Sequence, residues 1–245
     1  GQLGNNDALK QDRNSPVQVV GVNGTGVLSN IQAIATGMGH TVALGEGGFI
    51  YSWGNNAYGQ LGDGIFGNIR LTPVTAQTAP ASAALGTIKA IAAGDWHTMA
   101  QKDNGEIYAW GDNAHGQLSQ PISQPLEKNF NEIPTLISGH DVNISGALAI
   151  DAGSNYSAVL LSGGKVCGWG GNGNGELGIE ATDEHEEPMY AHLPSGVTVN
   201  FFSAGTVHML AVTPGGALYV WGSNYFGQLG IGGNTNSLIP KLVNF

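Results

Sequence analysis

Cationic side chains are scarce in this 245-residue chain: Lys and Arg number 8 against 18 Asp and Glu, a net charge of −10. Neutralising phosphate takes Lys and Arg, so non-specific nucleic-acid binding is disfavoured, and so is attachment to anionic lipid. Charge of either sign is sparse, at 11% of residues, so neutral polar side chains and glycine must form much of the surface. The only cysteine is Cys167, which excludes an internal disulfide. It stands two residues before a tryptophan and reads as a small buried strand residue rather than a reactive thiol. No apolar run approaches the length of about 18 residues that a spanning helix needs, and no signal-peptide pattern opens the chain. A Walker loop, a nucleophile elbow, zinc-ligand spacing and a sustained helical period are also absent. These absences predict no membrane insertion, no nucleic-acid partner, no cofactor and no metal site.

Glycine, by contrast, is abundant at 40 residues, and most of it falls at fixed places in a repeat. Trp53-Gly54-Asn55-Asn56-Ala57-Tyr58-Gly59-Gln60-Leu61 returns as Trp110 to Leu118, as Trp169 to Leu177 and as Trp221 to Leu229. The shared form is Trp-Gly-x-Asn-x-x-Gly-Gln/Glu-Leu, with tryptophan spacings of 57, 59 and 52 residues. A second motif keeps the same spacing: Gly37-Met38-Gly39-His40, Gly94-Asp95-Trp96-His97, Gly153-Ser154-Asn155-Tyr156 and Gly205-Thr206-Val207-His208. Self-similarity at such a period marks a repeat architecture.

Each unit reads as short strands joined by glycine-rich turns. Thr41-Val42-Ala43-Leu44, the turn Gly45 to Gly48, and Phe49-Ile50-Tyr51-Ser52-Trp53 form a hairpin pattern, preceded by Ile31 and Ile34. Pro73, Pro134, Pro188 and Pro240 are expected to head a fourth strand, and Pro16 to Val20 to form a short edge strand. The pattern predicts an all-β fold of up to four antiparallel strands per unit, one propeller blade each. The units are a partial one at 1–20, then 21–76, 77–137, 138–193 and 194–245.

These two motifs resemble the regulator of chromosome condensation repeat family, over essentially the whole chain. The resemblance implies a β-propeller, usually of seven blades. Four complete units and partial ones at both ends imply part of a larger, about seven-bladed, propeller or an open one, with exposed edges that further blades or a second chain would cover.

The recurring residues have structural explanations. Trp53, Trp110, Trp169 and Trp221 are expected to fill cores, with the indole N–H bonded to backbone. The motif Asn is expected to bond its own turn. His40, His97 and His208 recur at one place in the units, with Tyr156 replacing the histidine in the third, which suits a structural role better than catalysis or metal binding. Function is then expected where repeats differ. Met38, Asp95, Trp96, Asn155 and Thr206 fall in the variable loop between Gly and His, and should meet on one face. Trp96 is the one tryptophan outside the repeated position, a candidate protein-binding anchor with Asp95 beside it. The acidic run Asp183-Glu184-His185-Glu186-Glu187 reads as a solvated loop, and the Asn-x-Ser/Thr triplets at Asn23, Asn143 and Asn155 carry little weight. The expected function is a non-enzymatic interaction scaffold for a protein partner. The resemblance offers an alternative, guanine-nucleotide exchange on a Ran-type small GTPase. It also includes a photoreceptor branch, which needs more tryptophans than Trp96 supplies. Low charge and abundant Asn, Gly, Ser and Thr fit another alternative, an extracellular or cell-surface module of a larger bacterial protein.

Overall fold

A computed structural model describes residues 1–77, 85–122, 129–138 and 141–244. Blade 1 contains β1 (Ile31–Thr36), β2 (His40–Gly45), β3 (Ile50–Gly54) and β4 (Arg70–Thr75). Blade 2 contains β5 (Ile88–Ala93), β6 (His97–Lys102), β7 (Ile107–Asp112) and β8 (Phe130–Leu136). Blade 3 contains β9 (Ala149–Ala152), β10 (Tyr156–Leu161), β11 (Lys165–Gly170) and β12 (His185–Tyr190). Blade 4 contains β13 (Phe201–Ala204), β14 (His208–Val212), β15 (Leu218–Gly222) and β16 (Ser237–Leu242). Each is a four-stranded antiparallel meander with its strands in sequence order. Among the described residues the only helical pieces are two three-residue 3-10 turns. The first strands β1, β5, β9 and β13 contact one another in series and form the inner side of the fan.

Three apolar interfaces hold successive blades together. Val42, Leu44 and Ile50 of blade 1 meet Ile88, Ala100 and Trp110 of blade 2. Met99, Ile107 and Ala109 then meet Val159, Cys167 and Trp169, and Ala158, Leu160 and Val166 meet Met209, Ala211 and Trp221. A central strand covered on both faces has no reason to alternate polar and apolar residues. Blade 3 has a neighbour on each side, and every residue of β10 is buried. In β14, Met209 and Ala211 are buried against blade 3, whereas His208, Leu210 and Val212 are half-buried. That alternation marks a blade with one face open. Cys167 lies inside the second interface, where burial pushes its thiol up to about 12.

Each motif Trp sits at a break in register between the third and fourth strands. Ser52 pairs with Val74 and Gly54 with Arg70, so Trp53 stands opposite extra residues of β4. The same break flanks Trp110, Trp169 and Trp221. Gly54 and Gly170 follow it with φ of 105° and 101°, and a Cβ there would lie 2.5 Å from the Gly39 carbonyl and 2.6 Å from that of Asn155. Glycine is therefore required at this place. The bulge also corrects the expectation for proline. Pro73, Pro134, Pro188 and Pro240 are buried inside β4, β8, β12 and β16 rather than at their heads. Pro lacks an N–H, and the bulge on an outermost strand needs none there. Pro16 to Val19 form no strand, and Val20 makes only an isolated bridge to Val27. The described residues place no third strand of its own unit beside that segment.

Polar bonds repeat across the blade seams. The His40 Nε2 lies 3.0 Å from Thr98 Oγ1, and that hydroxyl donates to the Gln60 carbonyl at 2.8 Å. The Thr98 oxygen therefore accepts from His40, which carries its proton on Nε2. His97 repeats the relay through Ser157 to the Gln117 carbonyl. Among the described residues no blade packs beyond His208, which is half-buried. Tyr156, standing in the third copy, bonds the Gly205 and His208 carbonyls instead. Burial lowers the His40 imidazole from 6.5 to about 4 and that of His97 to about 3. Unfolded, both protonate near 6.5, so acid favours the unfolded chain. Their contribution is complete above that pH and is lost as pH falls towards about 4 and then 3. Urea unfolding should therefore lose about 2 kcal/mol per histidine between about pH 7.5 and pH 5. His40→Gln, which keeps a side-chain N–H for Thr98, should remove one histidine's share of that loss. An unchanged acid slope in this variant would contradict the assignment.

Candidate functional site

The variable loops lie at one end of the sheets, because a backbone bond ties each to the loop after the motif Trp. Asn55 donates to the Gly39 carbonyl at 2.7 Å and Asp112 to that of Trp96 at 2.9 Å. Gly171 and Ser223 do the same to Asn155 and Val207, both at 2.8 Å. The second set of loops is stiff in its own right. The motif Asn accepts from the N–H of the motif Leu, as in Asn56 to Leu61 and Asn172 to Leu177. The motif Gln or Glu accepts from the N–H two residues before it, as in Gln60 to Tyr58 and Glu176 to Asn174.

The first set is also bonded from blade to blade. Met38 N–H donates to the Asp95 carbonyl at 3.3 Å, Asp95 to Ser154 at 3.1 Å, and Ser154 to Thr206 at 2.9 Å. Ser154 Oγ adds a 2.6 Å bond to Asp95 Oδ2. The structure thus joins Met38, Asp95 and Thr206 in one ladder. The third rung is Ser154, not Asn155, whose carbonyl instead holds its own blade's loop. The register of the motif carried that distinction, since Ser154 follows Gly153 as Met38 follows Gly37 and Asp95 follows Gly94.

Trp96 is half-buried rather than fully exposed. It leans over the seam towards blade 1, where Gly39 leaves it room: a Cβ on Gly39 would lie 3.4 Å from Trp96 Cζ3. Tyr58 meets the indole edge-on with ring centroids 6.0 Å apart. Tyr58 also contacts Phe130 at 6.4 Å, and Phe130 contacts Phe66 at 4.8 Å. Around them Met38 is 69% exposed, and Ile65 and Phe66 are each 49% exposed. Sequence reasoning missed Tyr58, Phe66 and Phe130. The one available signal was apolar Ile65-Phe66 within an otherwise polar loop.

The acidic run serves the next seam. Ser119 Oγ donates to the Glu186 carbonyl at 2.9 Å, and Glu184 Oε1 lies 2.5 Å from His115 Nδ1. Asp112 accepts from Gln117 at 2.9 Å, and burial raises its carboxyl. Among the described residues, no three His, Cys, Asp or Glu side chains are placed to hold a metal ion, and no helix is long and apolar enough to cross a membrane.

The sequence profile of the RCC1-like domain matches residues 1–245. The chain belongs to the RCC1-like domain family. The Arabidopsis thaliana ultraviolet-B receptor UVR8 is 32% identical over 243 residues, covering 98% of this chain and 51% of that protein. Human WBSCR16 superposes with a TM-score of 0.74 at 25% identity, over 88% of this chain and 53% of that one. Saccharomyces cerevisiae Prp20p, described with its binding properties to Gsp1p and histones, gives 0.72 at 22% identity, over 88% of this chain and 50% of that one. The chain thus spans about half the length of these RCC1-like proteins, and the Prp20p likeness concerns the fold alone.

Within this RCC1-like frame, the two kinds of tryptophan differ in burial. Trp169 is fully buried and its Nε1 donates to the Gln117 carbonyl at 3.0 Å. Trp169→Ala should cost about 3–5 kcal/mol of stability. Trp96→Ala, which loses mainly its edge contact with Tyr58, should cost about 0.5–1.5 kcal/mol. Chemical denaturation of both variants checks this, and equal losses would make Trp96 a core residue.

Proposed function

We propose that this chain is a non-enzymatic interaction scaffold that holds a protein partner on the face carrying Met38, Asp95, Trp96, Asn155 and Thr206. The observation that supports this best is a half-buried Trp96, braced by Tyr58, beside exposed Met38, Ile65 and Phe66 on loops tied by backbone bonds. A rigid aromatic anchor loses little freedom on binding, and aromatic residues dominate binding energy at protein interfaces. No nucleic-acid partner is proposed. Lys102 is engaged by Glu106 and Tyr108, and Lys165 lies over the Tyr190 ring.

We also propose that both outer faces of the fan are covered in the working protein, by further blades or another chain. Ile34 on the outer face of blade 1 is 71% exposed, whereas Phe202, its counterpart in blade 4, is 5% exposed against blade 3. Nucleotide exchange on a Ran-type GTPase is the second reading, suggested by the resemblance to the RCC1-like family.

Trp96→Ala should weaken partner binding by about 2 kcal/mol, the scale of an interface hot spot, while the thermal melt stays close to that of the parent. Affinity measured by calorimetry against a captured partner checks this, and unchanged affinity would move the site elsewhere. Release of labelled GDP from Ran should not be accelerated by this chain alone. Strong acceleration would replace the scaffold reading with the second one.

A further inference from the structure

The two ends of the sheets differ in charge. At the end that carries the recognition loops lie Asp95, Asp112, Asp183, Glu184, Glu186 and Glu187. Of the cations at that end, among the described residues, Arg70 is spent on Asp63 and Arg13 on Asp7, both at 2.7 Å, and Lys10 lies on the leading segment beside blade 1. Lys89, Lys102, Lys165 and Lys241 all fall at or near the opposite ends of their strands. The apolar patch around Trp96 therefore faces solvent within an acidic field.

Asp95 is the acid best placed to use that field. It adjoins Trp96 in sequence, and its backbone is fixed on both sides by the bonds to Met38 and Ser154. One carboxylate oxygen, Oδ2, is held at 2.6 Å by the Ser154 hydroxyl. That bond orients the group and leaves Oδ1 for a further donor. An oriented carboxylate beside an aromatic shelf suits a side chain with an apolar stem and a cationic head.

Resting on the reading that this face binds protein, we infer that its partner presents a cationic segment with an apolar anchor. A Leu, Phe or Met side chain packs on Trp96, Tyr58 and Phe66, and a neighbouring Arg or Lys reaches Asp95. The acids of blade 3 steer the segment from a distance, since a field of one sign raises the on-rate of the opposite charge.

The test uses the full chain and two labelled synthetic peptides of equal length and apolar content, one rich in Arg and Lys, the other in Glu. Fluorescence anisotropy is measured from about 0.01 M to about 0.1 M salt, over which the screening length falls from about 30 to about 10 Å. The cationic peptide should bind and the acidic one should not, and binding should weaken with salt. Trp96→Ala and the independent surface variant Phe66→Ser should each reduce binding about tenfold or more. Asp95→Asn should reduce it several-fold and flatten the salt dependence. If Trp96→Ala and Phe66→Ser weaken binding of both peptides alike, the face binds protein but the charge inference fails. If the cationic peptide binds both variants as well as the parent, the attraction is diffuse and the site itself is overturned. Sedimentation showing a dimer that Phe66→Ser dissociates would make a second copy the occupant, and would also overturn the inference.

Discussion

The backbone carbonyl of the motif Gln or Glu is the hinge point of every blade seam. The Gln117 carbonyl receives both the Trp169 indole at 3.0 Å and the Ser157 hydroxyl at 2.8 Å from the following blade. The Gln2 carbonyl receives Trp53 at 2.7 Å and Thr41 at 3.0 Å, and that of Glu176 receives Trp221 at 2.8 Å. A carbonyl has two lone pairs, so one buried oxygen can satisfy two donors that would otherwise be costly to bury. The geometry holds only if the loop bearing that carbonyl does not move. Its own Asn and Gln side chains fix it from within, and the Trp-following glycine lets the next strand bulge around the indole. The repeated residues are thus parts of one device that sets each blade against the next.

Trp110 is the exception. Its indole nitrogen is buried without a partner, and the Gln60 carbonyl receives the Thr98 hydroxyl. The expectation that every motif indole bonds to backbone fails at this seam. Blades 1 and 2 are instead joined across their outer loops by Trp96, Tyr58 and Phe130. The seam that lacks the buried indole bond is the one that carries the aromatic cluster at its surface.

Blade number, strand order and the structural place of the motif residues were legible because each is imposed again at every repeat. A residue needed for the same reason four times leaves a period in the sequence. Phe66 and Phe130 leave none. Phe66 lies in a loop of blade 1 and Phe130 opens β8 of blade 2, and they meet only because two blades are adjacent in space. Trp96 was legible as an outlier but not as a half-buried one, since its support comes from Gly39 and Tyr58 of the other blade. The prolines misled for a related reason: a strand-breaking residue looks like a boundary, whereas here it sits in the bulge opposite each tryptophan. Asn155 was named among the variable residues, and the ladder runs through its neighbour Ser154, which the motif register aligns with Met38 and Asp95.

The same division runs through the titratable groups of the described residues. The buried histidines sit in relays across the seams, the cysteine is sealed between blades, and Lys102 and Lys165 at the far end are engaged with neighbours. At the end that carries the variable loops stand aromatic surface and carboxylates. Position there is set by bonds within each blade and by a ladder between blades. Met38, Asp95, Ser154 and Thr206 come from four different blades and share one backbone ladder. The ladder runs through main-chain groups, and the Ser154 hydroxyl adds one side-chain bond, to the Asp95 carboxylate. A repeat frame of this kind separates the residues that recur to build each seam from the residues that vary on the loops.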